Sequence, residues 1–252
     1  MRTLAIDVET YSSVDIAKTG AYRYCQDETF EILLFAYAFD DDPVQIIDLA
    51  NGEKLPECVK EAIINPEVVK TAFNTNFERN ALSNSMCYEM PPFQWDCTMI
   101  RALRLGLPGS LDMVGKALKF PEDKQKMKEG KALIQYFCKP CKPTKANGGR
   151  NRNLPEHAPE KWELFKEYCK QDVEVEREIR KKLSQFSVLD SEKELWDLDQ
   201  EINDRGVAVD LTLIEHASEC DKQFTEKNKK KSNSALLLKG VHEFDLMRVD
   251  IA

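Results

Sequence analysis

Two acids at the end of an apolar strand pattern constrain this chain most. The segment "LAIDVET" (4–10) alternates apolar residues with Asp7 and Glu9. Because side chains of a β-strand alternate between its two faces, this segment predicts a strand with both acids on one face. Neighbouring carboxylates repel each other unless a cation lies between them. The pair therefore suggests a metal site, although about two D-x-E triplets are expected by chance from composition alone.

A second D-x-E triplet, at positions 172–174, competes with this pair. It falls in a segment with helical spacing, where side chains two residues apart point about 200° away from each other. Asp172 instead shares a helix face with Tyr168, because residues i and i+4 of a helix are neighbours. Geometry therefore favours the N-terminal pair, with Tyr168 and Asp172 able to face the same cleft.

Two polar residues follow the short apolar segment "VVKTAF" (68–73). Asn74 ends this predicted strand, and Glu78 lies at the start of the predicted helix after it. Two divalent ions need three or four carboxylates, so Glu78 completes a candidate set of ligands with the three acids already named. An ordinary structural explanation stays open, because an acid near a helix start also favours the helix dipole.

The remaining pattern predicts an α/β domain with a mixed sheet. Further strands are predicted at 30–39 and 44–49, and helices at 55–64 and 159–186. The last of these helices has an apolar inner stripe formed by Trp162, Phe165, Cys169, Val173 and Ile179. Two helices flank the stop "GLPG" (106–109), with Asp96 and Ser110 as their N-caps. From residue 187 the pattern is purely helical. We therefore expect two domains, 1–186 and a helical appendage at 187–252.

The charge is unevenly distributed along an acidic chain whose formal net charge is −8. Between Lys124 and Arg152, nine basic residues stand against one acid, and we call this segment the basic arm. Net acidity disfavours a general polyanion binder, but a local basic segment is able to hold a phosphate backbone. A solvated loop is the alternative interpretation.

Eight scattered cysteines fit a reducing compartment with free thiols, so we expect a cytoplasmic protein. The start of the chain shows no signal-peptide pattern, and the longest apolar run has eight residues (32–39), which predicts no membrane contact. The pair "CKPC" (138–141) suggests zinc, but a structural zinc site needs four ligands and no second C-x-x-C exists. We therefore do not assign zinc there.

Three motifs, taken in order, resemble a known family: "DVET" (7–10), "NTNFE" (74–78) and "YCKQD" (168–172). They are similar to the 3′→5′ exonucleases of the ribonuclease-H-like fold, in the DnaQ-like superfamily, that use four acids and a tyrosine. More closely, the chain resembles the proofreading region of phage-type family A DNA polymerases. Longer stretches at 95–118, 128–144 and 201–210 extend this likeness over nearly the whole chain.

The resemblance implies a ribonuclease-H-like sheet flanked by helices and a role for each motif residue. Asp7, Glu9, Glu78 and Asp172 would hold two Mg²⁺ or Mn²⁺ ions, and Tyr168 would orient the attacking water. A phenol with a pKa near 10 is a poor base at neutral pH, which suits such a positioning role. The family most often has Asp where this chain has Glu78, which keeps the charge but adds a methylene. A sister class has His at the position of Glu167, so the tyrosine variant is the better match.

The implied reaction is metal-dependent hydrolysis of single-stranded DNA from its 3′ end to nucleoside monophosphates. Two ions held by such acids would stabilise the attacking and leaving oxygens of an in-line displacement. Aromatic stacking in a narrow cleft would favour single strands. The candidate substrate-binding residues are Thr10, Tyr11, Asn74, Phe77, Lys131, Lys139 and Lys142.

Two other functions stay open at this point. An exoribonuclease would use the same acids, and a catalytically inactive domain would only bind nucleic acid. Polymerisation is not expected, because a family A polymerase needs several hundred more residues for its polymerase portion. We expect the chain to be either a fragment or a natural truncation.

Overall fold

A mixed five-stranded sheet forms the centre of the protein. The computed structural model describes residues 2–121 and 129–237, with the side chains of 232–237 excepted. The strand order is β3-β2-β1-β4-β5, with β1 antiparallel to β2, β2 antiparallel to β3, and β1, β4 and β5 parallel. The strands are β1 (Arg2–Tyr11), β2 (Glu31–Phe39), β3 (Gln45–Asp48), β4 (Val68–Ala72) and β5 (Trp95–Cys97). The predicted mixed sheet is therefore confirmed.

Helices flank this sheet and form the C-terminal region of the described chain. They are α1 (Ile16–Cys25), α2 (Glu57–Ile64), α3 (Thr75–Met86), α4 (Thr98–Arg104), α5 (Leu111–Ala117), α6 (Gly130–Phe137), α7 (Pro159–Leu183), α8 (Asp190–Arg205) and α9 (Leu211–Leu237). The helices predicted at 55–64, on both sides of 106–109 and at 159–186 are confirmed within one or two residues at most ends. The predicted helical C-terminal region is confirmed as well.

The two faces of β1 serve different purposes. Leu4, Ile6 and Val8 point into an apolar core shared with α2 and α3. Ala5 points to the other face, into a second core built largely from α6 and α7. Because side chains alternate along a strand, Asp7 and the next acid share this second face. The strand therefore supplies a core on one side and presents acids towards α7 on the other.

The long helix α7 is anchored to the sheet at both ends. Near its start, the indole Nε1 of Trp162 donates a hydrogen bond to Asp48 Oδ2 at 2.7 Å. Near its end, Arg177 donates to the backbone carbonyls of Asp40 at 2.6 Å and Asp42 at 2.9 Å. The predicted inner stripe is confirmed, because Trp162, Phe165, Cys169, Val173 and Ile179 are all buried. These anchors fix the face of α7 that points at β1.

The structure corrects the prediction for Asp96, which is not an N-cap. Asp96 lies in the short strand β5, and its carboxylate accepts hydrogen bonds from Arg101 at 2.7 and 2.8 Å and from Arg180 at 3.4 Å. Cys97 occupies the cap position of α4 instead. Ser110 precedes α5 as predicted, but its side chain makes no capping hydrogen bond within the described part of the chain.

Helix α1 was not predicted from the sequence. Its hydrophobic pattern is weak, and Gly20 interrupts it with φ of 74° and ψ of 168°, outside the helical region. Asp15 caps its start by accepting a hydrogen bond from the backbone of Ala17 at 3.1 Å. Because of the polar cap and the central glycine, hydrophobic periodicity does not predict this helix.

The chain divides into two compact units, with the boundary after Glu201. The first unit contains the sheet, and the described part of the second consists mainly of α9. The boundary at 186/187 stays a prediction. Within 2–121 and 129–237, no helix combines the length and apolar content that a membrane span requires.

Candidate active site

The two acids of β1 lie at the centre of a buried polar cluster. Asp7 and Glu9 point to the same sheet face and pair with Ala36 and Leu34 of β2. Single ligand atoms of Asp7, Glu9 and Cys169 all lie within 4.8 Å of one another. A register shift between Glu9 and Thr10 interrupts the ladder with β2, which resumes with the pairing of Thr10 and Ile32. Such irregularities re-aim side chains, and this one lies directly beside the cluster.

Helix α7 brings Tyr168 and Asp172 to this pair of acids. Both side chains are buried, and burial is the main cause that raises the pKa of Tyr168 far above its ordinary value. The carboxylates of Glu9, Asp172 and Asp7 raise it further, and the Tyr168 hydroxyl hydrogen-bonds to Asp172. Tyr168 therefore remains a neutral hydroxyl donor at physiological pH.

The first turn of α3 supplies Glu78. Asn74 precedes this helix in the left-handed region, with φ of 80° and ψ of 58°, which Asn tolerates better than most residues. Glu78 is buried, and burial followed by the charge of Asp7 raises its pKa well above the usual carboxyl range. Glu78 thus lies within electrostatic reach of Asp7 and Glu9. The four predicted acids and Tyr168 are brought together, although 165 positions separate the first from the last.

A fifth acid, the buried Glu176, belongs to the same cluster and was missed from the sequence. It lies one turn beyond Asp172 on the same face of α7, and its charge raises the pKa of Glu78. The hydroxyl of Thr98 donates a hydrogen bond to its Oε1. Burial raises the pKa of Glu176 itself to about 7. The four-residue spacing of Tyr168, Asp172 and Glu176 could have identified it, because residues four apart lie on one helix face.

Two buried thiols also border the paired acids. Cys169 Sγ lies 3.5 Å from Asp7 Oδ2, and Cys138 Sγ lies 3.8 Å from Glu9 Oε2. Sequence reasoning placed Cys169 in the apolar stripe of α7 and considered Cys138 only for a zinc pair with Cys141. The contacts of both thiols with carboxylates could not be inferred from helical spacing.

The residues present fit a divalent cation. Carboxylates packed together in a buried site repel one another, and the pKa of Glu78 is raised partly by its acidic neighbours. Glu78 Oε2 and Glu176 Oε2 are buried and accept no hydrogen bond from any described residue. Carboxylate oxygens are the ligands that Mg²⁺ and Mn²⁺ prefer. The candidate ligands are Asp7, Glu9, Glu78 and Asp172, and this role remains a proposal.

A cavity of about 310 Å³ opens directly beside Glu9. Thr10 and Phe77, two of the predicted substrate-binding residues, line it, together with Lys139 at its rim. The Thr10 hydroxyl lies 3.0 Å from the Tyr24 hydroxyl, so its position is fixed by a buried hydrogen bond. Phe77 is only partly buried. This cavity combines the aromatic ring of Phe77 and the ammonium group of Lys139 with the adjacent acid cluster.

Tyr11 does not line this cavity. Its ring is 5% exposed and packs in the second core, with the Arg152 guanidinium 3.9 Å from the ring centroid. Arg152 also pairs with Glu31 at 2.5 Å. Tyr11 therefore has no open face on which a base could stack, and of the two predicted aromatic residues Phe77 is the one at the cavity.

The basic arm is only partly a solvated loop. Lys131, Lys139 and Lys142 are exposed, whereas Asn153, the residue that follows the arm, is buried and donates to the backbone carbonyl of Tyr136 at 2.9 Å. Arg152, the last residue of the arm, packs against Tyr11 and pairs with Glu31. Together these contacts fix the end of the arm against the sheet and α6. Three of its lysines, at 124, 126 and 128, lie outside the described residues.

Helix α6 packs closely over the ring of Tyr168. A β-carbon built on Gly130 would stand 2.7 Å from Cδ2 and Cζ of Tyr168, and closer still to Cε2. Any side chain at Gly130 would therefore displace the tyrosine or the helix. The sequence around Gly130 does not predict this contact.

A larger cavity, of about 770 Å³, contains none of the predicted site residues. It is lined by Arg101 of α4 and by charged residues of the second half of α7, among them Glu174 and Arg180. Two of these arginines already pair with Asp96. The chemistry of the acid cluster therefore makes the smaller cavity the candidate substrate site.

Comparison with known proteins supports the resemblance inferred from the motifs. No protein-family model matches the chain. The sequence is 60% identical over 224 residues to a DNA polymerase of Bacillus phage SP02, covering 89% of this chain and 34% of that protein. The chain thus spans about a third of the length of the relative it matches. The predicted resemblance to a phage DNA polymerase is confirmed at this level.

Among solved structures, two of NrnC from Brucella melitensis, one of them bound to pGG, are similar in fold. Each is 14% identical to this chain and has a TM-score of 0.51. The alignment covers 79% of this chain and 80% of that chain. At this identity the likeness concerns the fold alone. It agrees with the predicted ribonuclease-H-like sheet flanked by helices.

Proposed function

We propose that this chain is a divalent-metal-dependent 3′→5′ exonuclease that releases nucleoside monophosphates from single-stranded DNA. The observation that carries the proposal is the convergence of Asp7, Glu9, Glu78 and Asp172 with Tyr168 beside a cavity of about 310 Å³. Carboxylates packed beside one another in the protein interior repel each other, and a functional role accounts for that cost.

The cation would be held by Asp7, Glu9 and Asp172, with Glu78 as the candidate ligand of a second ion. When bound, Mg²⁺ or Mn²⁺ supplies charge stabilisation to the phosphoryl group and lowers the pKa of water. The extra methylene of Glu78, relative to the Asp of the resembled family, moves its carboxylate farther from its own backbone. We therefore expect the second ion to bind more weakly than the first.

The chain's own residues position the attacking water. The Tyr168 hydroxyl keeps its proton, because burial and the surrounding carboxylates raise its pKa. It hydrogen-bonds to Asp172, which fixes the direction of the phenol. A fixed neutral hydroxyl is suited to orient a water molecule and is unsuited to remove its proton. Tyr168 therefore acts as a positioning group beside the acids.

The smaller cavity would hold the 3′-terminal nucleotide. Phe77 offers a ring for stacking, and stacking is tolerant of sequence because every base has an aromatic face. Lys139 at the rim would attract the phosphate backbone. Asn74, exposed at the start of α3, lies at the same end of the sheet. These groups favour a frayed single strand over a paired duplex.

The identity with part of a phage DNA polymerase supports a proofreading role. Removal of a mismatched 3′ nucleotide is the contribution that an exonuclease makes to a polymerase. The chain corresponds to about a third of that relative, so the polymerase portion is the proposed partner. We expect no nucleotide incorporation by these 252 residues alone.

End-labelled substrates test direction and substrate class together. A 5′-labelled single strand of DNA should give a ladder that shortens by one nucleotide at a time, whereas a 3′-labelled strand should lose its label at once as a mononucleotide. Both reactions should stop with EDTA and resume with Mg²⁺ or Mn²⁺. The matched RNA strand should be degraded more slowly.

Three outcomes would contradict the proposal in different ways. Faster degradation of the RNA would identify an exoribonuclease instead. Early loss of a 5′ label as a mononucleotide would reverse the direction. No degradation of either strand, with DNA binding retained, would identify a nucleic-acid-binding domain without catalysis.

A further inference from the structure

Helix α8 is hydrogen-bonded to the helix that carries Glu78. Arg79, the next residue of α3, is 3% exposed, and its Nη1 donates to Oε1 of Gln200 on α8 at 3.1 Å. Its Nε donates to the backbone carbonyl of Met90 at 2.9 Å. Gln200 is itself buried, although it lies 121 positions from Arg79. Because a buried guanidinium is costly without acceptors, this hydrogen bond constrains both helices.

A second contact places the same face of α8 against α3. Trp196 lies one helical turn before Gln200, so the two side chains share a face of α8. Trp196 packs against the apolar core to which α3 contributes Ala81 and Leu82. Glu194, by contrast, is exposed. The inner face of α8 therefore holds α3 by one apolar contact and one buried hydrogen bond.

The first turn of α3 has no capping side chain among the described residues. Asn74 occupies the cap position in the left-handed region, and its side chain makes no capping hydrogen bond. A capping side chain normally satisfies free backbone donors of the first turn and stabilises it. Glu78 lies in this turn, so its position depends on contacts farther along the helix. Arg79 supplies two such contacts, to Gln200 and to Met90.

We propose that Gln200 is a positioning residue, which holds the Glu78 carboxylate in place through Arg79 and the first turn of α3. The inference rests on the proposed function, in which Glu78 is the candidate ligand of the second ion. The other three candidate ligands lie on β1 and α7, and this contact does not hold them. Loss of the contact should therefore weaken the binding of one ion and leave the other unchanged.

Three substitutions on α8 separate the hydrogen bond from packing. Gln200→Leu removes the acceptor while keeping a side chain of similar volume. Gln200→Glu keeps an acceptor for Arg79 and makes the hydrogen bond charge-assisted. Glu194→Gln is the matched control, because Glu194 is exposed on the same helix. Circular dichroism of the full chain confirms that each variant is folded at the assay temperature.

Metal titration and hydrogen exchange measure the effect without relying on activity. In Gln200→Leu, the weaker of two Mn²⁺-binding steps in isothermal titration should weaken by about tenfold, the effect typical of residues that orient metal ligands. Backbone amides of residues 79–82, which donate to the first turn of α3, should exchange faster. The Mg²⁺ concentration for half-maximal release of 3′ nucleotides should rise by the same factor, with the KM for DNA unchanged. Gln200→Glu and Glu194→Gln should match the unmodified chain in each measurement.

Unchanged Mn²⁺ binding in a folded Gln200→Leu would overturn this inference, even if α3 exchanges faster, because Gln200 would then serve stability alone. If Gln200→Leu does not fold, Gln200→Asn, which withdraws the acceptor by one methylene, is judged by the same measurements. An unmodified chain that binds fewer than two Mn²⁺ ions would also overturn it. Absence of hydrolysis by the unmodified chain would contradict the proposed function instead, while titration and hydrogen exchange would still decide the role of Gln200.

Discussion

Gly130 faces the ring of Tyr168 so closely that a β-carbon at Gly130 would lie 2.7 Å from two of its ring carbons. Helix α6 therefore acts as a cover that holds the tyrosine in place. Gly130→Ala should force the ring or the helix to move, at a stability cost of about 1–3 kcal/mol. We expect turnover to fall by about tenfold or more, because small misplacements of a positioning group are costly.

Gly115→Ala is the matched control for that change. Gly115 is also a buried helical glycine, but a β-carbon there would meet its nearest neighbour, Phe120, at 3.9 Å. This variant should keep full turnover and gain up to about 1 kcal/mol in stability from its better helix propensity. Equal turnover of the two variants in a nuclease assay would mean that α6 does not hold Tyr168 in its working position.

Tyr168→Phe should lower kcat by about a hundredfold while leaving Mg²⁺ affinity nearly unchanged. The phenol is buried beside the acids and hydrogen-bonds to Asp172, so only the hydroxyl that orients water is lost. Isothermal titration of Mg²⁺ and single-turnover hydrolysis separate the two effects. A comparable loss of Mg²⁺ affinity would assign Tyr168 to the ligand shell.

Glu176 predicts a specific pH dependence of stability in the metal-free protein. Burial raises the pKa of Glu176 from 4.5 to about 7, so the folded state binds this proton more tightly than the unfolded state does. Stability contributed by the protonated carboxyl is therefore present below about pH 4.5 and is lost as the pH rises through about 7, by about 3 kcal/mol. Urea unfolding in EDTA at a series of pH values measures this loss.

Glu176→Gln should remove that contribution, because the amide is similar in shape and does not titrate. The difference in unfolding free energy between the variant and the unmodified chain should grow between pH 4.5 and 7 in favour of the variant. Thr98 can still donate its hydroxyl to the amide oxygen. Parallel stability curves for the two proteins would show that Glu176 does not titrate in this range.

The sequence predicted the framework of the site but not its inner packing. Alternation along β1 and the four-residue spacing of Tyr168 and Asp172 depend only on local geometry, so both could be read without a structure. Cys169 was assigned to the core stripe of α7, and its contact with Asp7 depends on how α7 crosses the sheet. Glu176 follows the same spacing but resembles any other acid on a charged helix.

The short strand β5 shows a similar limit. A strand of three residues is too short to show alternating hydrophobicity, so the sequence suggests that Asp96 is a helix cap. The structure shows instead that Asp96 pairs with Arg101 and Arg180. Burial of Tyr11 under Arg152 depends on a loop that lies 141 positions away in the chain. Long-range pairings of this kind are decided by tertiary packing, which local patterns do not carry.

The exposed lysines of the basic arm should contribute to DNA affinity. If Lys139, Lys142 and Lys145 each neutralise one phosphate of a single strand, the log–log slope of affinity against salt carries about −0.7 from each. Changing all three to glutamine should flatten that slope by about 2 and weaken binding regardless of sequence. Turnover at saturating DNA should be little affected.

A second triple variant separates this effect from net charge. Lys229, Lys230 and Lys231 are also exposed and form a basic run on α9. Their replacement by glutamine changes the net charge by the same amount but should leave the salt slope unchanged. Identical slopes of affinity against salt for both triple variants, measured by fluorescence anisotropy, would show that the basic arm is only a solvated loop.

The central claim is that acids gathered from β1, α3 and α7 carry the reaction, and two acids on α7 test it directly. Asp172 is buried in the cluster, whereas Glu174 is exposed two residues away. The decisive measurement is Mg²⁺-dependent release of 3′ nucleotides by Asp172→Asn and Glu174→Gln. We predict a loss of at least about a hundredfold for Asp172→Asn, without loss of stability in EDTA because repulsion is relieved, and full activity for Glu174→Gln. Unimpaired hydrolysis by a folded Asp172→Asn would contradict the account.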